Sequence, residues 1–89
     1  MKAIVTVIGK DRIGIIAKVS SILSKQGINV LDISQTVLQG YFTMIMLVDT
    51  AKCPIAFDEL SALLRKHGED EGYSVRIQRE DIFEAMHRI

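Results

Sequence analysis

A chain of 89 residues can close only one hydrophobic core and buries roughly 60% of its unfolded surface, so residues 1–89 are read as a single domain. Eleven Lys and Arg against eleven Asp and Glu give zero net charge, which removes the long-range field that nucleic-acid or anionic-membrane partners require. At 48% hydrophobic and 25% charged the composition excludes a disordered chain, and its apolar surplus suits a subunit interface.

The longest apolar run, Met44 to Val48, falls far short of the ~20 residues that span a bilayer, and the first residues carry no signal-peptide hydrophobic region. A cytoplasmic protein is expected. Cys53 is the only cysteine, which excludes an internal disulfide and any two-cysteine metal or redox motif.

Lys2 to Ile8 (KAIVTVI) is β-rich and apolar on both parities, with Ala3, Val5 and Val7 facing one way and Ile4, Thr6 and Ile8 the other, as in a central strand. Gly9 opens the polar turn Lys10-Asp11-Arg12, after which Ile15, Ile16, Val19, Ile22 and Leu23 recur at helical spacing as far as Gly27. Asp11 is the expected N-cap and Gly27 the expected stop. From Ile28 the period drops to two, Asn29, Leu31 and Ile33 alternating with Val30, Asp32 and Ser34, which predicts a half-exposed edge strand. Gln39-Gly40 supplies a turn into a second central strand, Tyr41 to Asp49.

Pro54 suits the first turn of a second helix, where its missing N–H costs nothing, and Phe57, Leu60, Leu63 and Leu64 mark the stripe that helix buries. Its end falls at either Gly68 or Gly72. Tyr73 to Arg79 alternates as a second edge strand, and Ile82, Phe83, Met86 and Ile89 place a short helix over the tail 81–89.

The order β-α-β-β-α-β, with the first and third strands central, selects an α+β fold. It is the ferredoxin-like βαββαβ sandwich, an antiparallel sheet in order 4-1-3-2 with two helices on one face. Residues 1–80 form that core and 81–89 a helical tail. Ile4, Ile8, Ile45 and Leu47, or their counterparts on the other parity, then need cover from the C-terminal helix or another subunit.

No residues form a recognisable catalytic set. Ser20, Ser21 and Ser24 share one amphipathic helix, His67 and His87 read as solvated residues and not as a metal pair, and Cys53 reads as a small packing or capping residue. Met44 and Met46 are expected in the core. The turn from Gly9 to Gly14 has two glycines, but Ile15 and Ile16 stand where a phosphate-binding loop needs Lys and Ser or Thr. As a strand-to-helix junction it still presents first-turn N–H groups, and Gly14, lacking a Cβ, permits close approach of a small carboxylate or a neighbouring chain. The competing reading of Gly14 is a turn and packing glycine that binds nothing. The Asn29 amide offers both donors and an acceptor, fitting the α-carboxylate and α-amino groups of an amino acid, or else a strand-start contact. Tyr41 and Phe42 are adjacent and so lie on opposite faces, which argues against stacked RNA bases.

Ile4 to Ala17 (IVTVIGKDRIGIIA), followed by Leu23 and by Gly27 to Ile33 (GINVLDI), resembles the ACT domain, and within that family the small stand-alone proteins and the N-terminal modules of glycine-cleavage regulators. The chain departs at Ile13, where many relatives carry proline. The resemblance implies a regulatory module with a ligand site shared between two modules: Asp11, Arg12, Ile13, Gly14, Ile15 and Ile16 on one side, Asn29 and Val30 on the other. The expected function is therefore non-enzymatic, that of a homodimer sensing an amino acid or similar small carboxylate, with no cofactor or metal and no nucleic-acid or membrane partner. The alternative is a ligand-independent dimerisation adaptor that regulates a partner protein. An acylphosphatase-like hydrolase would use Arg12 and Asn29, but the turn around Arg12 resembles the ACT one.

Overall fold

The computed structural model describes residues 1–10 and 14–81. Its elements are β1 (Lys2–Lys10), α1 (Ile15–Lys25), β2 (Asn29–Leu38), β3 (Tyr41–Asp49), α2 (Phe57–Glu71) and β4 (Ser74–Arg79). The strands form one antiparallel sheet ordered β2-β3-β1-β4, the expected 4-1-3-2 read from the other edge. The helical tail expected over 81–89 lies outside the described residues, except that Asp81, with Glu80, is helical.

Register assigns the two faces. Val5 pairs with Met46 and Ile77, and Val7 with Met44 and Val75; these side chains point toward the helices and are buried. From α1 they meet Ile15, Val19 and Leu23, and from α2 Leu60 and Leu64, so one core fills the space between sheet and helices. Both methionines are fully buried, as expected. On the opposite face Ile4 pairs with Leu47 and Thr6 with Ile45, while Ile8 is 46% and Ile45 39% exposed. Both central strands are thus apolar on both sides, and the helices cover one side only.

Helix boundaries follow local chemistry more closely than the hydrophobic stripes. α1 begins at Ile15 with Gly14 as its N-cap residue, not Asp11, because Gly14 takes the left-handed conformation that turns the chain into the helix. At its other end Gly27 N–H donates to the Ser24 carbonyl at 3.0 Å and Ile28 N–H to that of Leu23 at 2.9 Å. This is a Schellman closure, with Ile28 and Leu23 both buried in the core. α2 starts at Phe57 behind Ala56, so Pro54 lies in the preceding loop instead of the first turn; Asp58 and Glu59 occupy that turn, as the helix dipole favours. Its buried stripe is Leu60, Leu64 and Gly68, with Leu63 38% exposed.

Gly68 does not stop α2, which runs on to Glu71 and caps at Gly72. A Cβ on Gly68 would stand 2.3 Å from the Tyr73 carbonyl oxygen, so glycine is needed there for the helix to lie against the start of β4. His67, expected as a solvated residue, shares a hydrogen bond with the Tyr73 hydroxyl and meets the Tyr73 ring edge-on at 5.4 Å between centroids.

β2 is more exposed than the sequence suggests. All ten of its residues are exposed, including Val30, Leu31, Ile33, Val37 and Leu38. A bulge between Val30 and Asp32 leaves Leu31 without a partner on β3. Val30 and Ile33 therefore share a face, opposite Val48 and Met46, and the strict alternation read from the sequence is broken.

Candidate ligand site at the ends of the first helix

Gly14 stands at the N-terminal end of α1 with φ 96°, and no side chain of the described residues caps this end. The Gly14 carbonyl accepts from Lys18 N–H at 2.9 Å, the first helical hydrogen bond, so the N–H groups of the first turn remain outside the helical ladder. Among the described residues, an added Cβ on Gly14 would meet nothing within 4 Å. Its requirement is conformational: a side chain in this left-handed region costs about 1–2 kcal/mol. Of the residues beside it, Ile15 is buried and serves the core, whereas Ile16 is 39% exposed on the outer surface. Asp11, Arg12 and Ile13 lie outside the described residues.

Asn29 and Val30 open β2 at the other end of α1. Asn29 pairs with Asp49, which in turn pairs with Lys2, whereas the Gly14 end of the molecule lies by Lys10, Tyr41 and Leu38. The 11 residues of α1 separate the two groups by about 16 Å at the usual helical rise. One chain does not bring Gly14 and Asn29 around the same small molecule.

Asn29 borders a cleft of about 370 Å³ with Ser24, Gly27, Ile28, Asp49, Ala51 and Lys52. Ser24, Asp49 and Lys52 carry no functional role in the sequence reading, because Asp49 appears there only as the end of an apolar run. Its direct pairing with Asn29 is visible only once β2 and β3 are in register. Asp49 Oδ1 accepts from the Ala51 N–H at 2.9 Å and lies 3.6 Å from the Met1 ammonium. That N–H chiefly holds the Asp49 carboxyl below its ordinary value; partial desolvation opposes it, and the Met1 ammonium and Lys2 assist.

The chain belongs to the ACT domain family, whose sequence pattern matches residues 2–78 and which is a regulatory module, not a catalytic fold. It is 55% identical over 89 residues to a UPF0237 protein of Clostridium acetobutylicum, with 100% of both chains covered. An ACT domain protein from Streptococcus pneumoniae superimposes with a TM-score of 0.83 at 44% identity, over 98% of each chain. The likeness of fold extends to a candidate glycine cleavage system transcriptional repressor, at a TM-score of 0.73 and 20% identity, over 86% of this chain and 44% of that one. Among the described residues, no helix is long and apolar enough to cross a membrane.

Proposed function

We propose that this ACT module is a cytoplasmic homodimer that senses an amino acid or similar small carboxylate between its two chains. The observation that carries the reading is the placement of Gly14 and Asn29 at opposite ends of α1, because a site that uses both must draw them from different copies. First-turn N–H groups beside Gly14 receive the carboxylate, with Ile15 and Ile16 as the adjoining backbone and Asp11, Arg12 and Ile13 shaping the loop. Asn29 and Val30 of the second copy close the site. A ligand held by two chains favours the arrangement that completes its site, and so couples occupancy to assembly.

A thermal-shift screen against the twenty amino acids tests this. Several are expected to give saturable stabilisation, lost in Gly14→Val while circular dichroism keeps the wild-type spectrum. A flat response to all of them overturns the sensor.

A second reading, a ligand-independent adaptor, draws on the exposed apolar side chains of β2. Its mark is a partner protein captured equally with and without amino acids.

A further inference from the structure

The outer face of the sheet presents an apolar floor on which neither α1 nor α2 packs. Register sets Gln78 of β4, Ile4 of β1, Leu47 of β3 and Asp32 of β2 side by side across that face. The next row holds Arg76, Thr6, Ile45 and Ser34. Ile4 and Leu47, both half-buried, and Ile45, 39% exposed, therefore floor a groove of about 130 Å³ that Asp32 and Ser34 border on the β2 side.

The point at which the chain leaves the sheet selects the occupant. β4 ends with Arg79 opposite Ala3, one residue beyond the Gln78 row, and Glu80 and Asp81 are already helical. From β4 to β2 the row spans three strand spacings, roughly 14 Å. At the helical rise, residues 80–89 reach roughly 15 Å, which matches that width. The same period puts Ile82, Phe83, Met86 and Ile89 on one stripe. Charge runs in a complementary order on the two surfaces. The face has Arg76 at its β4 side and Asp32 at its β2 side, whereas the tail carries Glu80, Asp81 and Glu84 first and His87 and Arg88 last. A second copy is the weaker occupant, because two rows measure only roughly 14 by 7 Å against the roughly 800 Å² that each partner of a stable complex buries. A segment joined to the sheet beside the row meets it at high effective concentration.

We propose that residues 82–89 lie as an amphipathic helix across the outer sheet face of their own chain, with Phe83 and Met86 over Ile4, Leu47 and Ile45. Covering this face leaves the β2 edge as the apolar surface through which copies meet. The inference does not rest on the ligand reading.

Nuclear magnetic resonance on the full chain tests the proposal. Nuclear Overhauser contacts are expected from the Phe83 ring and the Met86 methyl to the methyls of Ile4, Leu47 and Ile45. In samples mixing labelled and unlabelled protein, these contacts are expected to arise within one chain. Ile45→Asp is expected to speed amide exchange over residues 84–89 at least tenfold, with the methyl shifts of the inner core at Val7 and Leu64 unchanged. Val37→Lys, which puts a charge on β2 opposite Phe42 and so on the other face, is expected to leave that exchange as in the wild type. Should Ile45→Asp fail to fold, the contacts in the wild type still decide. Contacts made only between chains overturn the proposal and assign the tail to a second copy. The absence of contacts to these three residues overturns it too, as does tail exchange indifferent to Ile45→Asp.

Discussion

Two residues carry more of the architecture than their chemistry announces. At Gly68, a methyl group would meet a backbone oxygen of Tyr73 at 2.3 Å, and neither α2 nor β4 can yield without breaking the contact between them. Gly68→Ala is expected to destabilise the fold by about 1–3 kcal/mol, read as a lower urea midpoint at unchanged slope, even though alanine is the better helix former. In the sequence Gly68 and Gly72 look like equal candidates to end α2, because the close approach that distinguishes them involves a residue from another element. Asp49 offers a second test. Its folded carboxyl is held below the ordinary value of 3.8, chiefly by the Ala51 N–H. The unfolded chain therefore takes up the proton first, and the stability that Asp49 contributes is present above pH 3.8 and lost as pH falls through the folded value. Urea midpoints of the wild type should fall more steeply than those of Asp49→Asn below pH 4, with the two profiles parallel near neutrality.

At the scale of elements, the central strands and the amphipathic face of α1 were legible because each carries its own period. Ala3, Val5 and Val7 in β1 declare one face of the sheet, and Val19 and Leu23 declare the face of α1 that meets it. β2 was legible only as a strand. Its bulge at Leu31 arises from the pairing with β3, not from any local preference, and it reverses which residues share a face beyond that point. The candidate site divided in the same way. Gly14 and Asn29 stand out by residue type, whereas Asp49 and Lys52 join Asn29 only through sheet register and loop closure. Because β2 buries none of its side chains, changing one should cost the fold of a single chain within about 0.5 kcal/mol. Ile33→Lys is accordingly expected to keep the wild-type circular dichroism spectrum and to shift light scattering from two chains to one, since a charge on an edge strand opposes edge-to-edge pairing. A dimer that survives the change places the contact elsewhere.

Taken whole, the molecule has apolar surface in two places that its own described elements leave open: the sheet face with Ile8 and Ile45, and the β2 edge with Ile33 and Val37. A chain of zero net charge has no strong self-repulsion to keep such surfaces apart. The melting temperature is therefore expected to rise with protein concentration over the range in which light scattering reports assembly, and a concentration-independent value would indicate a stable lone chain. The length of α1 has a further consequence for the proposed sensor. When a two-fold axis carries the front of one helix to the back of the other, it performs the reverse exchange at the same time. Each partner then lends its glycine bend to one pocket and its asparagine to the twin pocket, so the pair holds two equivalent seats and filling the first already positions the walls of the second.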